Sequence, residues 1–530
     1  MKKMKKIMAV LLAAVMTLAM AVTAFATEGT TNTGKLTVNV KDGQTFAGQT
    51  VNIYKLFDMT VSGSGDNKNY GYKVNEKYTA ILDKVLGENF TDKTDQGYYD
   101  AVKNATDNTN GDVQKFANDF TAQLLAYNKT ADSKIKADST KLFNTTATDT
   151  SFTTDDLAYG YYLVCQTGTK SIQSSLVSVV DSTATVNLKS EAPDITKTAD
   201  KDANTVSVGQ TVTYTIKGTV PDMTGYDAYV YKIHDTLTDG LDFVTNDDGI
   251  KVKVSVKIGG TEVSDVTTAN FVGSDGSVSN TATRTMLLDL SKKVQGATTG
   301  QEIEVTYQAT VNKDAVVETK NSASLEYSND PGSDGTGTTK PHEVVTPTYP
   351  LDVKKTDTHK AMLADAHFTL YGAKEDGSID KNTVIKVTKD TEANGKYTYA
   401  EDQNSVDAIT DVITVASGID EKDYNLHING LKAGVYYLEE TQAPDGYNKL
   451  AAPVKVTITK TGDTTYTVST PNKQGVDTEE QDKIIDIENS TGSLLPSTGG
   501  RGAIAFGIVA AILVFGVVVS FMRDKRKASL

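Results

Sequence analysis

The 530-residue chain carries one cysteine, no tryptophan and a formal net charge of −15. That acidity excludes nucleic acid as a partner, because phosphate binding needs a basic surface. A lone Cys165 excludes both an internal disulfide framework and a multi-cysteine metal site. Tyr outnumbers Phe by 25 to 14, and the hydrophobic share of 38% suits several thin β domains better than one large core.

In chain order, residues 1–26 read as a secretory signal. Lys2, Lys3, Lys5 and Lys6 precede an uncharged stretch from Ile7 to Val22, and Ala24-Phe25-Ala26 supplies a small-x-small cleavage pattern. Two proline-bearing junctions, Ala192-Pro193 and Thr346-Pro347-Thr348-Tyr349-Pro350, then divide the middle into expected domains at 27–190, 191–345 and 346–490. In the first, Val113, Phe116, Ala117, Phe120 and Leu124 recur at helical spacing, and Tyr78–Leu86 is also helix-like, so helices inserted into a β-sandwich are expected. Elsewhere β-branched residues alternate or cluster between Gly, Asp and Asn turns, as in Gln210–Thr219, Ile250–Ile258, Glu302–Val311 and Pro453–Lys460. The expected architecture is mainly β: three tandem immunoglobulin-like sandwiches.

The second and third domains share an order of lysine early, acid in the middle and asparagine in the last strand. Alternate side chains of a strand face one way. In the third domain Leu351, Val353 and Lys355 therefore share an inward face, Lys354 points outward, and Ile485, Ile487 and Asn489 share a face at the far end. In the second, Ile195 goes with Lys197, Tyr229, Tyr231 and Ile233 with Asp235, and Val317, Ala323, Leu325 and Tyr327 with Asn321. Parity does not choose between Glu439 and Glu440, since the strand around them is apolar on both faces. A lysine inside the core of an exported domain needs a chemical reason.

At the C-terminus Leu495-Pro496-Ser497-Thr498-Gly499 precedes an uncharged run from Ala503 to Met522, then Arg523, Lys525, Arg526 and Lys527. Twenty helical residues reach about 30 Å, enough to cross a bilayer, and the basic tail holds that end in the cytoplasm. Residues 491–530 resemble the LPxTG cell-wall sorting signal of Gram-positive surface proteins. That resemblance implies attack by a sortase cysteine between Thr498 and Gly499 and transfer of Thr498 to an amine. Residues 27–498 alone hold 44 basic and 67 acidic side chains, a net charge of −23.

The run from Tyr436 to Tyr447, YYLEETQAPDGY, matches the pilin E-box pattern Y-x-L-x-E-T-x-A-P-x-G-Y at every fixed position. The chain resembles, over essentially its whole length, the backbone pilins of sortase-assembled Gram-positive pili, also called type-2 fimbrial major subunits. The resemblance implies immunoglobulin-like domains of the collagen-adhesin (Cna-B-like) type, closed by internal Lys–Asn isopeptide bonds. It assigns the E-box acid to Glu440 and carries the chemistry to Lys355, Glu440 and Asn489. Through looser motifs it reaches Lys197, Asp235 and Asn321.

Such chemistry requires burial. An amine attacks a carboxamide only when uncharged, and burial lowers a lysine pKa while raising that of a carboxyl. The protonated acid can then polarise the Asn carbonyl, folding brings the groups into contact, and ammonia leaves. This is one self-modification, so no enzyme activity is expected. The first domain's Tyr161-Tyr162-Leu163-Val164-Cys165-Gln166 looks like an E-box strand lacking its Glu, so no bond is expected there.

The resemblance further implies a polymerising lysine near the end of the first domain. There Leu188-Lys189-Ser190 stands where the family has Tyr-Pro-Lys-Asn, and parity exposes Asn187 and Lys189 while burying Val186 and Leu188. Lys189 is the expected intermolecular nucleophile. The implied partners are a class C pilus sortase and a housekeeping sortase, identical subunits, ancillary pilins and peptidoglycan, with host matrix or surface glycans outside. The implied location is the cell wall, on a surface pilus that supports adhesion. A monomeric wall-anchored adhesin or an ancillary pilin are the competing readings.

No cofactor or metal is expected. The chain lacks G-x-S-x-G, H-E-x-x-H and P-loop motifs. Asp200, Asp202 and Asn204 mimic the start of an EF-hand loop, but Thr205 stands where its glycine is required.

Overall fold

The computed structural model describes residues 32–491, apart from 64–67, 108–110, 145, 181–182, 201–203, 392 and 473. The secretory signal, the Leu495–Gly499 pentapeptide, the apolar run and the basic tail lie outside these residues, as does Asp202. Among the described residues no helix is long and apolar enough to cross a membrane, and no group of His, Cys, Asp or Glu could hold a metal ion. Contacts divide the chain into two compact units. One comprises Met1–Lys201, Thr211–Ala309 and Lys320–Val344, and the other Asp202–Gln210, Thr310–Thr319 and Val345–Leu530.

The first unit opens with two sheets and three helices. The long strand Thr50–Ser62 pairs antiparallel with Gly160–Thr167, which pairs in turn with Gln173–Val179. Every residue of Gly160–Thr167 is buried. One face, with Leu163 and Cys165, packs on the helical residues Tyr78, Phe120 and Leu124. The other, with Tyr162 and Val164, packs on Leu36, Val38 and Phe46 of the second sheet. Coverage on both sides explains a continuous apolar strand in place of an alternating one. The helices are Thr79–Leu86, Asp95–Thr106 and Val113–Thr130. The spacing anticipates the first and third. The middle one buries Tyr98, Val102 and Thr106, one turn apart, and Thr94 caps it by accepting the Gly97 N–H at 3.0 Å. Within this unit Thr183–Asn187 runs parallel to Thr33–Asn39, with Asn39 opposite Asn187.

The remainder of the first unit is an immunoglobulin-like sandwich. One layer runs Thr196–Ala199, Thr211–Thr219, Glu302–Val311, Lys251–Ile258; the other runs Thr268–Val272, Thr285–Asp289, Tyr231–Leu237, Lys320–Ser328, Thr336–Thr338. Lys251–Ile258 joins the layers: Val254 to Ile258 pair with Glu302–Val311, and Lys251 to Lys253 with Thr268–Val272. Asn321 does not lie in the last strand, because Thr336–Thr338 and His342–Val345 follow and pair with its own. Tyr229 precedes the acid-bearing strand, which begins at Tyr231. Val317 is likewise outside the Lys320–Ser328 strand and packs on the core of the second unit, to which its segment belongs.

In the second unit Tyr349–Thr356 is central. It pairs antiparallel with Leu426–Leu431 and parallel with the final strand Ile484–Glu488. The facing sheet is ordered Ile379–Ile385, His367–Ala373, Gly434–Gln442, Val454–Lys460, Tyr466–Pro471, Asp477–Glu479. Leu351, Val353, Phe368, Leu438, Val456 and Ile487 share the core between the sheets.

Candidate functional site

Two buried lysine-centred clusters stand out, one in each unit. In the second unit, strand alternation turns Leu351, Val353 and Lys355 inward, and all three are wholly buried. Lys355 lies opposite Ile487 in the parallel pair, so the next inward position, Asn489, comes beside it. The Lys355 Nζ donates to Asn489 Oδ1. From the facing sheet, Glu440 Oε1 accepts the Asn489 Nδ2–H at 2.8 Å and lies 3.6 Å from Lys355 Nζ. Its Oε2 accepts the Leu450 N–H at 2.6 Å. The alternatives left open by strand parity separate cleanly. Glu440 is buried, whereas Glu439 faces outward and pairs with Lys381.

Asn425 was not anticipated, yet it fixes the Lys355 backbone. Its Oδ1 accepts the Lys355 N–H at 2.7 Å, and its Nδ2 donates to the carbonyls of Lys355, Leu363 and Val415 at 3.2, 2.9 and 2.8 Å. With both ends of its amide occupied, Asn425 holds the strand, while Asn489 presents its carboxamide to the amine. Burial draws the Lys355 amine down to about 8, against the opposing pull of Glu440. About a tenth of it is therefore uncharged at pH 7, far more than of an ordinary lysine, and the neutral form is the state a nucleophile requires.

The first unit builds its cluster across the two layers of the sandwich. Lys197 comes from Thr196–Ala199 in one layer. Asp235 and Asn321 come from adjacent strands of the other, two residues apart in register and on one face. The side chains of Lys197 and Asp235 are wholly shielded from solvent and form an ion pair. Burial pushes the lysine down and the aspartic acid up, so both tend towards their neutral forms. Asp235 Oδ1 and Asn321 Oδ1 are both buried and have no hydrogen-bond partner among the described residues. Both oxygens are acceptors, and protonation of Asp235, the direction in which burial pushes it, would give the cluster a hydrogen to donate.

Tyr307, from Glu302–Val311, is the member that sequence reasoning missed. Its hydroxyl accepts from Lys197 Nζ and, at 2.8 Å, from Asn321 Nδ2, and donates to Asp235 Oδ2 at 2.5 Å. Tyr214 stacks on it at 5.7 Å, and Lys197 Nζ lies about 5 Å from both ring centres.

The other sequence-derived candidates are placed as follows. Val186, Leu188 and Ser190 are buried, whereas Asn187 and Lys189 are exposed. Lys189 has no ion-pair partner among the described residues, and its backbone N–H donates to Gln173 Oε1 at 2.6 Å. With Asn39, Lys41, Gln44, Thr150 and Asn187 it lines an open cavity of about 580 Å³. Cys165 is buried, and burial pushes its thiol up to about 11, which leaves it unreactive.

The fold is that of a mainly β, multidomain chain in which two sandwiches each bring a lysine, an acid and an asparagine together in the core. Residues 350–474 match the SpaA family, a prealbumin-like fold domain, and this segment contains the Tyr436–Tyr447 run. No curated protein matches the chain. Among solved structures, it is similar to the full-length major pilin SpaD of Corynebacterium diphtheriae, at 19% identity over 87% of this chain and 98% of that one, with a TM-score of 0.42. The major pilin SpaA of the same organism gives 16% identity over 86% and 100%, with a TM-score of 0.43. The T6 backbone pilin of Streptococcus pyogenes serotype M6 gives 16% over 88% and 100%, with a TM-score of 0.42.

Proposed function

We propose that this chain is the backbone subunit of a covalently polymerised pilus on a Gram-positive cell wall. Its three sandwich domains, 27–190, 191–345 and 346–490, form one repeat of the shaft. Lys355–Asn489 and Lys197–Asn321 isopeptide bonds, promoted by Glu440 and Asp235, close the third and second domains from within. A class C sortase joins Thr498 of one subunit to Lys189 of the next. A housekeeping sortase transfers the finished fibre to peptidoglycan. Ancillary pilins complete the fibre, and its external partners are host matrix or surface glycans. The protein is a sortase substrate and modifies itself once at each of two sites, in single-turnover fashion; it is not an enzyme.

The observation that carries this reading is the pair of wholly buried lysine ammonium groups: Lys355 beside Glu440 and Asn489, and Lys197 beside Asp235 with Asn321 bonded to the same Tyr307 hydroxyl. Burying such charges for stability alone is unrewarding, because desolvation offsets the Coulomb attraction. Cross-linking removes the charges altogether. The exposure of Lys189 and the cavity beside it suit an amine that must meet an acyl-enzyme.

Intact mass and a wall extract together test the proposal. The mature subunit should weigh two ammonia molecules less than its sequence. The wild-type strain should give a high-molecular-weight ladder that Lys189→Ala abolishes. A ladder that survives Lys189→Ala assigns the junction to another lysine. A single anchored band in the wild type supports the monomeric adhesin instead.

A further inference from the structure

We infer that the Tyr307 hydroxyl is the proton relay of the second-domain cross-link, carrying a proton from the attacking Lys197 nitrogen to the departing Asn321 nitrogen. The inference rests on the proposed Lys197–Asn321 bond and adds a residue that neither the lysine–acid–asparagine pattern nor the family match assigns.

The chemistry requires such a carrier. When the neutral Lys197 Nζ bonds to Asn321 Cγ, the nucleophilic nitrogen must lose a proton and Nδ2 must gain one before the Cγ–Nδ2 bond breaks and ammonia departs. One hydroxyl oxygen touches both atoms: it accepts from Lys197 Nζ and, at 2.8 Å, from Asn321 Nδ2. Tyr307 can take the proton from Nζ while passing its own to Nδ2, ending as it began. The balance is lysine amine plus asparagine carboxamide to secondary amide plus ammonia, with no oxidant or co-reactant.

Asp235 is held to a different task. Its Oδ2 accepts from both Lys197 Nζ and the Tyr307 hydroxyl, the latter at 2.5 Å, while Oδ1 is left without a partner, as is Asn321 Oδ1. Protonated Asp235 is thereby available to stabilise the charge that develops on the carbonyl oxygen. In the other cluster a single carboxyl oxygen meets both nitrogens: Glu440 Oε1 lies 2.8 Å from Asn489 Nδ2 and 3.6 Å from Lys355 Nζ. There the acid can serve as its own relay. The two clusters divide polarisation and proton transfer differently, and this difference makes the inference testable within one molecule.

The test is to make the full-length chain by cell-free synthesis and follow both cross-linked peptides by mass spectrometry over time and across pH. Three chains are compared: wild type, Tyr307→Phe, and one with a ring-fluorinated tyrosine at 307, which keeps the shape but lowers the hydroxyl pKa. Tyr307→Phe should slow Lys197–Asn321 formation about 100-fold, the usual contribution of one positioned acid–base group. The Lys355–Asn489 bond should form at its wild-type rate, as an internal control. The fluorinated chain should cross-link the second domain with a pH profile displaced to lower pH, a readout that a merely structural hydroxyl would not move. Wild-type rates and profiles in both altered chains would overturn the relay. A wild-type chain without the Lys197–Asn321 peptide would instead overturn the bond itself, and the relay with it.

Discussion

Replacing Glu440 by Gln tests most directly whether the third domain is held by a covalent bond. The substitution keeps the side chain's size and an oxygen for the Leu450 N–H, and leaves Lys355 and Asn489 in place. The ionisable carboxyl is lost, and an amide N–H replaces the oxygen that accepts from Asn489 Nδ2. The bond it promotes would close a loop of 134 residues. By the loop-entropy relation established for disulfides, such a link restricts the unfolded chain by about 5 kcal/mol. For a domain of this size that corresponds to a fall in melting temperature of about 10–20 °C. Scanning calorimetry on the exported part of the chain, with intact mass on the same sample, measures both quantities. Glu440→Gln should regain the mass of one ammonia and show the third-domain transition lowered by that amount. A lowered mass that persists in Glu440→Gln would refute the role of the acid. A regained ammonia with an unmoved transition would refute the stabilisation.

Three further outcomes follow from the same geometry. Asn425→Ala strips the partner from the Lys355 N–H and from three buried carbonyls, so it should cost about 2–3 kcal/mol of third-domain stability by urea titration. Glu439→Ala removes only a surface ion pair with Lys381 and should cost less than about 1 kcal/mol, with ammonia loss unchanged by mass. In an unlinked Asn489→Ala chain, Lys355 keeps an amine drawn down to about 8, whereas the unfolded chain's lysine titrates near 10.4. Between those values the unfolded state binds more protons, so denaturant midpoints should rise from about pH 8 to pH 10.

What the sequence could disclose depended on whether the signal was local. Parity alone placed Lys355 and Asn489 inward, because each sits in an alternation of unmistakable aliphatic residues. It failed at Glu439 and Glu440, where Val435 and Tyr437 make the outward face apolar as well. The E-box resemblance assigns Glu440, and the facing sheet and the Lys381 partner separate the two acids in space. Tyr307 was invisible for another reason. Within Ile303, Val305, Tyr307, Ala309 and Val311 it reads as one more core aromatic, and its hydroxyl gains meaning only where two layers bring Lys197, Asp235 and Asn321 around it. The Asp95–Thr106 helix was legible in principle, from the Thr94 cap and the spacing of Tyr98 and Val102. Gly97 and its many polar residues hid it. Asn425 gave no signal, since its four hydrogen bonds reach segments as far as 70 residues away in sequence.

The same three residue types serve two mechanical arrangements. In the third domain Lys355 and Asn489 sit at the C-terminal ends of neighbouring parallel strands. Tension entering at Tyr349 would run along that strand to Lys355, cross the amide and leave at Asn489, so residues 356–488 would carry none of it. In the second domain the link would cross from one layer to the other, and the chain continues beyond Asn321 through Lys320–Ser328, Thr336–Thr338 and His342–Val345. Residues 198–320 would be shielded, but the later strands would remain in the line of force, held by their pairing with Lys320–Ser328, which is laddered in turn to Tyr231–Leu237. Cross-links so placed would protect the interior of the two sandwiches that carry them and leave any extensibility to the segments between the bonds. A chain with one cysteine can do this without disulfides, and reduction would not undo it.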